Sequence, residues 1–135
     1  MRLVNNICDI DVKDWSDFVL NHPDGCFFHS PEYYQAFCKE PYAKSHFFAV
    51  LSDNNEFLAI SVVVIYKEAN LLKRYFSRRA IAMAPPLCKD NSAVFLQFLM
   101  NAQINYLKNK VIYYEIRNCQ HNWFNGFLQK LNFEQ

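Results

Sequence analysis

The stretch HFFAVLSDNNEFLAISVVVIYKE, residues 46–68, decides the fold. Two runs of aromatic and β-branched residues flank Asp53-Asn54-Asn55, and Asp and Asn tolerate the backbone angles of tight turns. The stretch therefore predicts two antiparallel strands joined as a hairpin. The second run, from Ile60 to Tyr66, is almost continuously apolar, which predicts a strand covered on both faces.

Two helices are predicted before this hairpin. The first has Asp11 as its N-cap, continues through VKDWSDFVLNH and stops at His22-Pro23, because proline fixes its own backbone angle and restricts the residue before it. The sequence HPDG, which contains that pair, favours a turn. The second helix starts at Ser30-Pro31, with Ser as N-cap and Pro at the first position, and extends through PEYYQAFCKE.

Two more strands and two more helices are predicted after the hairpin. A third strand extends from about Lys73 to Ala84, and Asn91 or Ser92 caps a long helix whose apolar residues repeat with helical spacing. VIYYEIRN, residues 111–118, is a predicted strand, and HNWFNGFLQKL, which follows it, is a short helix. This order predicts a single α/β (α+β) domain over residues 1–135, in which helices flank a mixed, largely antiparallel central sheet.

Charge and hydropathy narrow the functional classes. The formal net charge of +1 argues against a general electrostatic grip on nucleic acid. No apolar run approaches the ~20 residues that a membrane helix needs. The N-terminal sequence lacks the basic-then-apolar pattern of a secretory signal. A cytoplasmic protein without a transmembrane segment is the expectation.

Cysteine, histidine and glycine usage argues against a metal site and against phosphate loops. The five cysteines and four histidines are dispersed and form no CxxC pair, so neither a zinc site nor any other metal site is expected. Glycine occurs only at positions 25 and 126. No GxGxxG or GxxxxGK[ST] motif exists, and the chain by itself is predicted to bind no nucleotide or coenzyme pyrophosphate.

The stretch SRRAIAMAPPL, residues 77–87, places paired cations beside a rigid double proline. One interpretation of Arg78 and Arg79 is a charged strand edge that discourages pairing between sheets. The other is a fixed arginine that binds phosphate or carboxylate. On a strand the two side chains would face opposite sides, with Lys73 and Ser77 on the face of Arg79.

Glu115 and Arg117 lie two positions apart on VIYYEIRN and therefore share one face of the predicted strand. One interpretation is an internal ion pair, because a charged pair on an apolar strand is costly unless matched. The functional interpretation places Arg117 at the carboxyl end of a strand, where α/β sheets usually bind ligands. Asn118 would then add a donor and an acceptor beside it.

Aromatic residues surround the start of the second helix. Phe27, Phe28, Tyr33 and Tyr34 form either a shelf for a ligand or, following their usual burial, part of the core. A catalytic base at His29 is disfavoured because no carboxylate partner lies near it in sequence. No catalytic residue is identified.

The ordered series HPDGCFFHSPEYYQAF, the hairpin, SRRAIAMAPPL, YYEIRN and FLQKLNF resembles one half of the Fem family and of the broader FemAB-related acyltransferases. These bacterial enzymes build peptidoglycan interpeptide bridges for the cell wall. The resemblance implies a GNAT-like fold, with residues 1–135 as the first of two tandem halves. It further implies an acyl-CoA or aminoacyl-tRNA donor that this chain does not itself bind, and a second half or partner chain that completes the site.

The resemblance also implies individual roles. Arg117 matches the strand-end arginine of the family, and Tyr33 and Lys39 lie on its substrate-facing helix. Ala84 and the two prolines after it stand where the family usually has Gly-Gly-Pro or Lys-Gly-Pro, which puts a substrate contact there in doubt. The acceptor would be an anionic small molecule or cell-wall precursor, at the inner membrane face if it is lipid-linked.

Three functions follow as hypotheses. The first is an acyl- or aminoacyl-transferase module, incomplete alone, in which Arg117 and Arg78 or Arg79 bind the acceptor while Tyr33 and Tyr34 shape its pocket. The second is a non-catalytic binding or assembly module that has the same fold. The third, a complete small N-acetyltransferase, is disfavoured by the missing glycine-rich loop.

Overall fold

The structure is a computed structural model that describes residues 1–117 and Gln129. The strands are β1 (Arg2–Val4), β2 (Ala43–Leu51), β3 (Phe57–Tyr66), β4 (Arg79–Ala82), β5 (Leu87–Cys88) and β6 (Tyr113–Ile116). The α-helices are α1 (Val12–Asn21), α2 (Pro31–Ala36), α3 (Leu71–Phe76) and α4 (Ala93–Leu107), and short 3-10 turns occupy Ile7–Asp9, Phe27–His29 and Lys89–Asn91.

The described strands form one sheet in the order β1-β2-β3-β4-β6, and β5 also pairs with β3. Every described pair is antiparallel except β4 with β6, which α4 connects as a parallel pair. The predicted mixed, largely antiparallel sheet flanked by helices is therefore confirmed.

The hairpin predicted from residues 46–68 is present as β2 and β3. Phe47 pairs with Val62 and Ala49 with Ile60. Asn55 in the connecting turn has a φ of 63°, a left-handed conformation that Asn adopts more readily than most residues. The residues chosen as turn formers therefore make the turn.

Strand β3 is buried on both faces, as its continuous apolar run predicts. On one face Val63 and Ile65 pack under α4, whose Leu99 and Met100 are fully buried. On the other face Ile60, Val62 and Val64 belong to a second cluster with residues of α1 and α2. The sheet is thus the middle layer between two apolar cores.

The predicted strand from Lys73 to Ala84 is wrong in its first half. Residues 71–76 form α3, and the strand begins only at Arg79. Asn70 explains the helix start, because its side chain accepts a hydrogen bond from the Leu72 N–H at 3.0 Å and so caps the helix. The strand faces assigned to Lys73 and Ser77 do not exist.

Other predicted boundaries shift by a few residues. Helix α2 ends at Ala36 rather than at residue 40, Ser92 is the N-cap position of α4, and β6 covers only Tyr113–Ile116. Asn118 lies outside the described residues. So does the last predicted helix except for Gln129, which is helical. Within the described part of the chain, no helix has the length and apolar character needed to span a membrane.

Candidate functional site

The parallel pair of β4 and β6 ends at Ala82 and Ile116. We call the region at this carboxyl end the crevice, because ligands of α/β sheets commonly bind there. The Arg117 N–H donates to the Ala82 carbonyl at 2.8 Å just beyond the last paired residues. On the other side of β4, Ile81 pairs with Val64 whereas Leu87 pairs with Ile60, so the chain bulges between them. We call residues 83–86 the β4 bulge; the double proline lies within it.

His29 holds the β4 bulge from the α2 side. Its Nδ1 accepts the Cys26 N–H at 3.2 Å, and its Nε2 lies 2.7 Å from the Pro85 carbonyl oxygen. Because Nδ1 is an acceptor, Nε2 carries the proton and donates to Pro85. Burial lowers the pKa of His29, which is 2% exposed. His29 is therefore a neutral structural donor in this fold.

His22 repeats this arrangement at the far side of the bulge. Its Nδ1 accepts the Asp24 N–H at 3.1 Å, and its Nε2 lies 3.0 Å from the Cys88 carbonyl oxygen. Two histidines from the segment between α1 and α2 thus bind one carbonyl within residues 83–86, that of Pro85, and one just after them, that of Cys88. No local sequence pattern indicates these contacts, because their partners lie 66 and 56 residues away.

The double proline limits what the bulge offers a ligand. Proline has no backbone N–H, so Pro85 and Pro86 cannot donate hydrogen bonds to a carbonyl or phosphate in the crevice. Within residues 83–86, only Met83 and Ala84 have a backbone N–H, so any further donors must come from side chains or from neighbouring strands.

An arginine–tyrosine cluster lies on the face of the sheet that packs against α1 and α2. It consists of Tyr33, Tyr66, Arg79 and Arg117. The Arg79 guanidinium lies 5.9 Å from the centre of the Tyr66 ring. Burial, together with Tyr66 and its hydrogen bond, raises the pKa of Tyr33 to about 12 against the opposing effect of Arg117. Tyr33 therefore stays protonated at neutral pH.

Arg117 is bound by Glu115 on an exposed part of this face. Arg117 Nε and Nη2 donate to the two Glu115 oxygens at 2.8 and 3.3 Å. The Arg117 side chain is 46% exposed. The hydrogen bond from Arg117 holds the pKa of Glu115 below its usual range. The predicted ion pair exists, but solvent and ligands can reach it.

The structure brings together three of the seven predicted site residues: Tyr33, Arg79 and Arg117. Tyr34 instead packs its ring against Trp15 and Phe47, each with centroids 5.8 Å away. Lys39 is exposed after the end of α2, and Asn118 lies outside the described residues. The sequence does not point to Tyr66 as a site residue, because its apolar neighbours in the chain indicate only a core strand.

Arg78 lines a different pocket, on the α4 side of the sheet. We call it the basic pocket; its volume is about 240 Å³, and it is lined by Lys44, His46, Ile65, Lys67, Arg78, Tyr106 and Lys110. Burial and the charges of the three lysines lower the pKa of His46 to about 4. Arg78 and Arg79 thus face opposite sides of the sheet, as their adjacent positions predict.

Acid should destabilise the protein, because His29 and His46 are held neutral in the fold. The folded pKa of each lies below its unfolded value of 6.5, so the unfolded chain takes up protons first and stability falls as the pH drops below that value. The full pKa shift of His46 corresponds to a loss of about 3 kcal/mol in the free energy of unfolding. Because the side chain is partly exposed, we expect a loss of about 1.5 kcal/mol. Denaturant unfolding at about pH 7 and pH 4.5 measures the loss, which should be smaller by about 1.5 kcal/mol in His46→Gln. Equal losses in both proteins would contradict this assignment.

A second concave region lies near the carboxyl end of β5. Its volume is about 720 Å³, and its walls include His22 and the carboxylates of Asp14, Asp17, Asp24, Glu56 and Asp90. Its acidic lining suits cations and differs from the arginine–tyrosine cluster. Within the described residues, no group of three or more His, Cys, Asp or Glu side chains is placed to hold a metal ion.

No protein-family model matches the chain, and no curated protein matches it either. Solved structures do match over its whole length. A tetramutant of the BH1408 protein from Bacillus halodurans superposes with a TM-score of 0.69 at 12% identity, covering 100% of this chain and 94% of that one. An aminoglycoside 6'-N-acetyltransferase from Acinetobacter haemolyticus gives 0.62 at 13% identity, covering 100% and 92%.

A ribosomal-protein-alanine N-acetyltransferase from Brucella melitensis gives a TM-score of 0.64 at 6% identity, covering 100% of this chain and 96% of that one. The chain has the N-acetyltransferase-like (GNAT) fold. At these identities the similarity shows the fold alone.

Proposed function

We propose that this chain is an N-acyltransferase module, which moves an activated acyl group onto an amine. One observation carries the proposal: in a chain with the GNAT fold, β4 and β6 form the parallel pair of the sheet, and Arg117 lies directly after the last paired residue at its carboxyl end. Ligands of α/β sheets commonly bind where parallel strands end. The similarity of the fold to acetyltransferases supports the same reaction class.

The chemistry requires a neutral amine to attack an activated carbonyl, and negative charge develops on the carbonyl oxygen. Arg117 supplies positive charge at the crevice, and Glu115 fixes the orientation of its guanidinium. Tyr33 and Tyr66 form the wall beside it. Glu115 is too weakly basic to take a proton from an ammonium group, because its pKa is lowered. The amine must therefore lose its proton to solvent or to the proposed donor half before it attacks, and the coenzyme thiol or tRNA hydroxyl leaves the carbonyl as the amide bond forms.

The acceptor that we propose is an anionic precursor, such as a sugar-diphosphate-peptide of the cell wall. Arg79 and Arg117 suit phosphate or carboxylate, since guanidinium groups bind both in a bidentate manner. The FemAB-related resemblance supports this acceptor, an acyl-CoA or aminoacyl-tRNA donor, and a second half or partner chain that binds the donor. The four described cysteines, Cys8, Cys26, Cys38 and Cys88, are free, which supports a reducing cytoplasm as the compartment.

A ligand panel tests this function. The chain is heated alone and with coenzyme A, acetyl-CoA or a sugar-diphosphate-peptide precursor, each at about a hundred times its dissociation constant. We expect the precursor to stabilise the fold by about 2.7 kcal/mol, and we expect mass spectrometry to detect the acylated precursor when a donor half is added.

The other outcomes distinguish the alternatives. Stabilisation by acetyl-CoA, with release of free thiol and no added partner, would show a complete N-acetyltransferase and contradict the incomplete module. No stabilisation by any of the three ligands would favour the non-catalytic assembly module.

A further inference from the structure

The basic pocket lies on the opposite face of the sheet from the arginine–tyrosine cluster. His46 and Ile65 point toward α4, because Phe48 and Ile65 belong to the core that α4 covers and alternate residues of a strand share a face. The Tyr106 hydroxyl from α4 lies 3.2 Å from His46 Nδ1. The pocket is therefore separate from the proposed acyl-transfer crevice.

The sheet topology gathers cations that are far apart in sequence. Lys44 pairs with Ile65 across β2 and β3, which places the start of one strand beside the end of the other, where Lys67 follows. Arg78 comes directly before β4, whose first residue pairs with the last residue of β3. Lys110 arrives from the end of α4. Three strand ends and one helix end thus supply the charges.

The helix end explains the position of Lys110 but not those of Lys44 and Lys67. Lys110 Nζ donates to the Tyr106 carbonyl at 3.3 Å and lies 3.6 Å from the centre of the Tyr106 ring. Cations commonly bind the carbonyls at a helix C-terminus. Lys44 and Lys67 are on strands β2 and β3 or next to them, so the helix end does not account for them.

No carboxylate lines the basic pocket among the described residues. Lys44, Lys67 and Lys110 also form no ion pair within the described part of the chain. Like charges held close together repel one another, and an anion between them removes that cost. Burial is the main cause of the lowered pKa of His46, and the charges of the three lysines lower it further.

We propose that the basic pocket binds the phosphate or diphosphate group of a small molecule, at a site distinct from the acyl-transfer crevice. Its volume of about 240 Å³ is below the range of about 300–1,000 Å³ typical of pockets for whole drug-sized ligands. It therefore suits a compact anion, or the phosphate end of a nucleotide whose remainder stays outside. Ammonium and guanidinium groups both bind phosphoryl oxygens.

Inorganic pyrophosphate is the probe, and the ring protons of His46 are the NMR reporter. We expect saturable binding, with a rise in the pKa of His46 because a bound dianion favours the charged imidazole. Lys44→Gln combined with Lys67→Gln should weaken binding at least about 10-fold. Lys13→Gln combined with Lys89→Gln makes the same change in net charge away from the pocket and should leave binding unchanged.

Each outcome decides the proposal. Equal weakening by both double variants would show a general charge effect and overturn the site, as would binding that leaves the His46 signals unmoved. The same spectra show whether the double variant of Lys44 and Lys67 is folded. If it is not, the single variant Lys44→Gln, at an exposed residue, is used in its place.

Comparing ligands identifies the source of the phosphate. Tighter binding of ADP than of pyrophosphate would indicate a nucleotide. Tighter binding of a single-stranded oligonucleotide than of either would overturn the small-molecule assignment. Because pyrophosphate is neither an acyl donor nor an acceptor, failure here leaves the proposed transferase function untouched.

Discussion

Arg117→Ala should weaken binding of the anionic acceptor about 100-fold and leave the folded structure intact. The large effect is expected because a guanidinium group at a strand end would contribute both charge and paired hydrogen bonds to the acceptor. The fold should survive because the Arg117 side chain is 46% exposed and exposed ion pairs contribute little to stability. Calorimetric titration with the precursor measures the affinity, and thermal unfolding measures the fold.

Three further variants separate binding from structure. Arg117→Lys keeps the charge but loses the bidentate geometry, so its affinity should fall between the wild type and the alanine variant. Glu115→Gln should have a smaller effect if Glu115 only orients Arg117. Arg2→Ala removes a cation on β1, at the other end of the described strand order, where it hydrogen-bonds Asn55, and serves as the control. A loss of stability shared by Arg117→Ala and Glu115→Gln would show that the pair is structural.

The central hairpin could be predicted because its signals are local and agree with one another. Turn formers separate two runs of strand-forming residues, and the apolar continuity of β3 requires cover on both faces. The strand prediction for residues 71–76 was wrong because aromatic and leucine residues suit both strands and helices. There the hydrogen bond from Leu72 N–H to the Asn70 side chain decides for a helix.

The candidate site could be predicted only in part, because its remaining contacts are long-range. Arg117 was identifiable from its place at the end of an apolar strand, and Tyr33 from the aromatic start of α2. The contact between Tyr33 and Tyr66 joins α2 to the last residue of β3, with the whole of β2 between the two elements. The same applies to His29 and Pro85, since periodicity and capping patterns describe only near neighbours in the chain.

The support behind the β4 bulge depends on Trp15, and Trp15→Ala should lower the free energy of unfolding by about 3–5 kcal/mol. Trp15 is fully buried and stacks on Phe47 at a centroid distance of 5.1 Å. Its Nε1–H donates to the His29 carbonyl at 2.7 Å. His29 therefore binds Pro85 through its ring and is itself held by Trp15 through its backbone carbonyl.

This double role distinguishes Trp15 from an ordinary core residue. Trp15→Phe keeps most of the ring but leaves the buried His29 carbonyl without its donor, which costs about 1–3 kcal/mol. Met100→Ala, in the opposite core beneath α4, should cost about 2–5 kcal/mol without affecting His29. The NMR signal of the His29 Nε2–H, protected by its bond to Pro85, should exchange faster in Trp15→Phe than in Met100→Ala. Equal exchange in the two variants would show that the bulge is held without Trp15.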